Sequence, residues 1–396
     1  TNQMNNQFIP EKVETMIRGL IDERAFRFIL IHAKELNVSD ITFSVGFPIS
    51  VKKDNKVFQI SKKMMTKTDI KRMIGFIYQS REGDESAYQR VMMGQDNAAT
   101  YTFNVSKPGK PRVELRYRCL SVRDGEDDAS LTMRLNNENI LRLNQIGLSK
   151  DHPLYKNMFP EKGLVLITGS VDSGKTTLIY ACLAEKIMDP KSHGFIDTYE
   201  NPIEGNLRKF AIENNAFSTI PRQCPITPNG ITDYSQGLIL SLRRNSDIIL
   251  LGEIRTQEDI MGCIRATLAS GKLVMGTLHT DNVPKTLSRL INSLSYSDES
   301  KTKMLIYDLI NSIHMLVSQK LIAKKDSGRV AAFESIVFTP EIRERLLALP
   351  VERISVELGL IMKENGDTMV DMARKHFEDG LIDEETFLRF EKDYSY

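Results

Sequence analysis

Eight consecutive residues, Gly169, Ser170, Val171, Asp172, Ser173, Gly174, Lys175 and Thr176, fit the spacing G-x-x-x-x-G-K-[ST]. Each fixed position has a chemical reason. The glycines let successive backbone N–H groups curl around an anion, and a helix beginning there adds partial positive charge. Lys175 would reach the outer phosphates of a nucleotide and the Thr176 hydroxyl would bind Mg²⁺, with Thr177 continuing the turn. A chance match in a chain of this length is expected on the order of 0.01 times. The flanks agree with the motif, since an apolar run at 164–167 precedes it and a helical stretch at 177–187 follows. The residues point to ATP and Mg²⁺ as ligands.

Acids downstream supply what such a loop lacks. In Ile249-Leu-Leu-Gly252-Glu253-Ile-Arg255 an apolar run ends on a carboxylate. Glu253 could there orient or deprotonate an attacking water. Gly252 stands where an Asp often precedes that Glu. A second pair, Glu200 and Glu204, follows the short apolar run 195–196, and either could reach a bound Mg²⁺ through water, Glu200 joining Thr176 as the expected metal residue. The plain alternative is a turn carrying two exposed acids. A third cluster, Gly271-Lys-Leu-Val-Met-Gly-Thr277-Leu-His279-Thr280, ends an apolar run on polar groups. Thr277 could there sense the terminal phosphate, or His279 neighbouring charge, although a lone His is more often structural.

These groups need a scaffold. From Gly163 onward, apolar runs at 164–167, 195–196, 248–251 and 273–278 alternate with helical stretches, as in a mostly parallel sheet covered on both faces. Residues 1–134 read differently, as a small α+β domain. There 12–37 has a mostly helical period, 41–45 alternates as a strand, and 53–56 is a turn. In 112–122, Val113, Leu115, Tyr117 and Cys119 fall on one face and Arg112, Arg116 and Arg118 on the other. That arginine face, with Arg123 and Arg134 beyond it, is either the wet side of a strand or a set of guanidinium groups for a nucleotide held elsewhere. Residues 135–147 read as a linker, 148–330 as the nucleotide-binding domain and 331–396 as a helical, charged region. In that last region Gly380 stops one helix and Asp383 caps another.

Composition removes other classes. The chain has 396 residues, enough for two or three domains, and 53 Lys+Arg against 52 Asp+Glu leave a formal charge of +1. Without a global basic field, no direct nucleic-acid binding is expected. No run approaches the roughly 18 apolar residues of a spanning helix. The beginning of the sequence shows no secretory signal, and the four cysteines form no C-x-x-C pair. The expected location is cytoplasmic.

Together and in this order, the motifs resemble the secretion ATPase superfamily of bacterial type II and type IV systems. The segments carrying the resemblance are the phosphate loop, Glu200-x-Pro-Ile-Glu204, Leu242-Arg-Arg-x-x-Asp247, Gly252-Glu253-Ile-Arg255 and Gly-Thr277-Leu-His279-Thr280. It covers about 40–385, from Ser39-Asp-Ile to Gly380-Leu-Ile. The size and the absence of a cysteine metal module look like the PilT-like side. Pro221-Arg222, the run from His279 to Arg289-Leu, and Phe333-Glu-Ser-Ile-Val-Phe338 look like its DotB/TraJ branch of type IVB secretion and conjugation.

The resemblance implies an α/β fold, with a RecA-like P-loop ATPase domain preceded by a PAS-like α+β domain. It implies a hexameric ring of like chains working inner-membrane secretion or conjugation machine proteins from the cytoplasmic side. Arg118 and Arg123 would contact phosphate, with Arg116 and Arg134 beside them. Val171-Asp172, Asn201 and Thr256 depart from the family pattern and imply slow turnover, while Lys175, Thr176, Glu253 and His279 match it. A type IV pilus retraction-type motor stays open as an alternative. So do two readings of other classes, a nucleic-acid translocase and a non-hydrolysing nucleotide-binding scaffold.

Overall fold

The computed structural model describes residues 9–38, 40–53, 56–110, 112–136, 139–171, 173–227 and 230–396. Asp172, Ser39, the centre of the 53–56 turn and part of the expected linker lie outside them. The chain divides into two compact units, residues 1–137 and 138–396.

In the first unit, helices α1 (Glu11–Met16) and α2 (Glu23–Glu35) precede strands β1 (Asp40–Ser44), β2 (Pro48–Lys53) and β3 (Lys56–Met64). Helices α3 (Lys67–Ile77) and α4 (Ser86–Met92) follow, then β4 (Ala98–Val105), β5 (Val113–Asp124) and β6 (Asp128–Leu135). The sheet is antiparallel in the order β3-β2-β1-β6-β5-β4. The single helix expected over 12–37 is two. Gly19 weakens a helix interior, and Asp22 restarts one by accepting from Ala25 N–H at 2.7 Å. On β5 the alternation holds for Leu115, Tyr117 and Cys119, which are buried, but Val113 at the strand's start is exposed. Leu120 and Val122 share the open face with Arg116 and Arg118.

The second unit opens with the short helix α5 (Pro153–Lys156). Strand β7 (Gly163–Thr168) and helix α6 (Lys175–Met188) come next, followed by β8 (Gly194–Glu200), α7 (Leu207–Glu213) and β9 (Thr219–Pro225). Then come α8 (Tyr234–Arg243), β10 (Ile248–Leu251), α9 (Gln257–Leu268), β11 (Leu273–Leu278), α10 (Val283–Ser293) and α11 (Glu299–Ser312). The hairpin β12 (Ile313–Ala323) and β13 (Arg329–Val337) precedes helices α12 (Pro340–Leu347), α13 (Val351–Asn365), α14 (Met369–Glu378) and α15 (Glu384–Tyr394). Strand order is β13-β12-β7-β11-β10-β8-β9, parallel except for the hairpin.

The continuous apolar runs acquire their meaning here. Leu164, Leu166, Ile249, Leu251 and Val274 face the core beneath α9 and α10, while Val165, Ile167, Ile248, Leu250 and Met275 face the core beneath α6. Both faces are buried, so period-two polarity disappears from the sequence. Residues from 331, expected to be helical, open as strand β13, whose backbone pairs with β12 over nine registers. Strand β9 was hidden by Pro221 and Pro225. It lies at the sheet edge, where a missing N–H costs no ladder bond. Gly380, at φ +76°, and Asp383, accepting from Thr386 N–H, act as expected.

Candidate functional site

The carboxyl ends of β7, β8, β10 and β11 converge on one cleft, lined by Thr176, Glu204, Tyr234 and Glu253 among others. Open α/β sheets form ligand crevices at this end. The glycines of the loop are dictated by space. A Cβ on Gly169 would stand 2.7 Å from the Gln319 carbonyl oxygen. Gly174 has φ +81°, and a Cβ there would stand 2.7 Å from Gln319 Nε2. That same amide donates to the Ser173 carbonyl at 3.0 Å, so β12 braces the loop from behind.

Lys175 begins α6 and is largely buried. Its Nζ donates to the Gly169 carbonyl at 3.0 Å and lies 2.8 Å from His279 Nδ1. With Lys175 donating, Nδ1 accepts and the ring proton belongs on Nε2, which faces Glu253 Oε1 at 3.4 Å. Glu253 Oε2 in turn pairs with Arg255 at 2.6 Å. Burial pushes the Lys175 ammonium down to about 8, against the opposing pull of Glu253 and Glu204. For Glu253 burial acts upward, but the Arg255 bond and charge, with His279 and Lys175, hold the carboxyl below its usual range. Lysine, imidazole and carboxylate thus form one line across the loop.

The other expected residues divide by what they already bond. Glu200 is buried at the end of β8 and accepts from Tyr180, from Thr198 at 2.7 Å and from Gln223 at 3.4 Å. Burial raises its carboxyl despite these donors. Glu204 is exposed on the cleft wall, near the half-buried Thr176. The Thr277 hydroxyl donates to the Gly252 carbonyl at 2.5 Å, tying β11 to the segment that presents Glu253. A Cβ on Gly252 would meet the Tyr199 carbonyl oxygen and Glu200 Cα at 3.2 Å, a tight approach to the neighbouring strand. Thr256 N-caps α9 in a reciprocal capping box with Asp259. Val171 is exposed.

In the first unit Arg118 is exposed and lies opposite Arg134 across β5 and β6. Arg134 itself bonds Asp40 at 3.0 Å. Arg123 turns back into the β5–β6 hairpin and donates to the Glu126 carbonyl.

Several motif residues prove to be structural. Arg222 Nε donates to the fully buried Asp197 at 2.5 Å, Ser241 Oγ donates to its other oxygen at 2.8 Å, and Arg244 approaches at 3.7 Å. Asp247 accepts from Phe195 N–H at 2.8 Å. The Asp197 contacts bind β8 to β9 and α8, and Asp247 ties β8 to the start of β10. Sequence reasoning missed Gln319, Tyr180, Thr198 and Gln223, because a polar group inside a strand or helix gives no sign of its partner.

Among the described residues no group of three or more His, Cys, Asp and Glu could hold a metal ion by itself. Thr176 and Glu204 on the cleft wall offer oxygen donors of the kind Mg²⁺ takes alongside phosphates and waters. No helix among these residues is long and apolar enough to cross a membrane.

Residues 94–348 match the family model described as type II/IV secretion system protein. The type IV pilus retraction ATPase PilT of Pseudomonas aeruginosa is 28% identical over 315 residues, covering 80% of this chain and 83% of that one. The X-ray structure of the Legionella pneumophila ATPase DotB superposes with a TM-score of 0.78 at 29% identity, covering 93% and 95% of the two chains. The crystal structure of the pilus retraction motor PilT with bound ADP, at 23% identity, shares the fold with a TM-score of 0.70, covering 91% and 95%.

Proposed function

The chain belongs to the type II/IV secretion system protein family, and on that premise we propose that it is a P-loop enzyme hydrolysing ATP with Mg²⁺. The observation that carries the reading is the line from Lys175 through His279 to Glu253, with the carboxylate held ionised beside the loop. A terminal phosphate would draw Lys175 from the Gly169 carbonyl. Glu253, fixed between Arg255 and His279, would orient the attacking water and accept its proton. His279, bridging Lys175 and Glu253, would report the presence of the terminal phosphate to the carboxylate. Thr176 would hold the metal ion, with Glu204 reaching it through water, and the ion would neutralise phosphate charge. Glu200, with its oxygens already occupied, would shape the cleft wall.

On the same reading the first unit is PAS-like, and Arg118 is a phosphate-contacting residue. The chains work as a homo-oligomeric, six-membered ring on the cytoplasmic face of an inner-membrane machine. The likeness to DotB over nearly the whole of both chains supports type IVB secretion or conjugation as the system. The likeness to PilT supports pilus retraction as the second reading.

The test separates binding from turnover. Glu253→Gln is expected to keep ATP affinity while turnover falls on the order of 10²-fold or more. Lys175→Ala is expected to lose both. Near-normal turnover in Glu253→Gln would remove that residue from the mechanism.

A further inference from the structure

Behind the loop, four hydroxyl side chains, three of them fully buried, form a line that the reaction scheme above leaves unused. Thr168 ends β7 one residue before Gly169, and its Oγ1 lies 2.5 Å from Ser318 Oγ on β12. Thr286, on the first turns of α10, places its Oγ1 3.2 Å from Thr168 Oγ1 and 2.6 Å from Thr280 Oγ1, and donates to the Asn282 carbonyl at 2.8 Å. Thr168, Thr286 and Ser318 are completely buried. Removed from water, these hydroxyls find their hydrogen bonds in one another and, for Thr286, in the Asn282 carbonyl.

The line joins two segments with work to do. Thr168 precedes Gly169, whose carbonyl receives Lys175. Thr280 follows His279, whose carbonyl is held by Arg289 at 2.9 Å. The imidazole itself is 41% exposed, so core packing does not fix it. Its placement depends on its own polar contacts and on how residues 279–282 leave β11. Thr286 alone among the four touches both the strand that carries the loop and the segment that carries His279.

We propose that Thr286 is a positioning residue, clamping the Thr168 and Thr280 segments so that the His279 imidazole stands between Lys175 and Glu253. It touches no reacting atom and acts through His279. The inference deepens the hydrolytic reading and rests on it for its kinetic consequence, though not for its geometric one.

Thr286→Val keeps the shape and removes the hydroxyl, while Thr286→Ser restores it. In Thr286→Val the kcat for ATP is expected to fall about tenfold, the scale of one lost hydrogen bond at a preorganised site, with KM nearly unchanged. Thr286→Ser is expected to recover most of the rate. A change in stability alone would not alter kcat per folded chain. Independently of turnover, ¹⁵N-histidine NMR of the full chain, assigned with His279→Ala, should show the His279 ring resonances displaced in Thr286→Val and returned in Thr286→Ser. Unchanged resonances would overturn the proposal. So would an unchanged kcat in an enzyme whose wild-type rate exceeds its Glu253→Gln blank. A wild-type rate equal to that blank would instead overturn the hydrolytic reading, and the ring resonances would still decide the role of Thr286. If Thr286→Val does not fold, Thr280→Val removes the same contact from the other side and is read by the same two measurements.

Discussion

At the scale of single residues, Lys175 ties binding to pH. Burial brings its ammonium to about 8 from an ordinary 10.5, so the folded chain disfavours the charged form. The cost of keeping that charge is borne in full below about pH 8 and is relieved as the pH rises through 8 and the proton leaves. A nucleotide's phosphates would reverse the shift. Binding at about pH 8.5 is therefore expected to take up protons, and binding well below pH 8 to take up almost none. Calorimetry in buffers of different ionisation heat measures this directly. Uptake independent of pH would assign the proton elsewhere. Glu200 and Glu204 make a second contrast. Glu204→Gln should weaken the dependence of turnover on Mg²⁺, whereas Glu200→Gln should chiefly change thermal stability, because Tyr180, Thr198 and Gln223 all donate to that carboxyl.

At the scale of elements, the joint between β8, β9 and α8 rests on a buried charge. Asp197 is wholly buried, and Arg222, Ser241 and Arg244 surround it. Removing Arg222 leaves the carboxylate with the Ser241 and Ser246 hydroxyls and only the more distant Arg244 for charge. Arg222→Ala is expected to cost about 3 kcal/mol of stability, read as a lower Tm, and a change within error would show that Arg244 suffices. In the other unit Arg118→Ala should lower turnover without unfolding. Arg123→Ala should instead act on the β5–β6 hairpin, since its guanidinium is bonded to the Glu126 carbonyl.

What the sequence disclosed follows the same division. The phosphate loop was legible because space and anion chemistry dictate Gly169, Gly174 and Lys175 in a fixed order. The strands at 164–167, 248–251 and 273–278 were legible because burial on both faces leaves unbroken apolar runs. Strand β9 was not, since its prolines read as breaks, and the start of β13 was not, since its pairing is set by β12 at a distance. Partnerships such as Gln319 with Ser173, or Thr286 with Thr168, join residues more than a hundred positions apart. No local spacing encodes them.

At the scale of the whole molecule, the central claim is that Glu253 and its neighbours hydrolyse ATP within a ring of like chains. The most direct measurement is ATP turnover per chain over a wide range of protein concentration, with Glu253→Gln as the blank. The account predicts a rate above the blank that rises with concentration as chains assemble and bring their arginines to the phosphates. A rate indistinguishable from the blank at every concentration would contradict it and leave a scaffold that binds nucleotide without hydrolysing it.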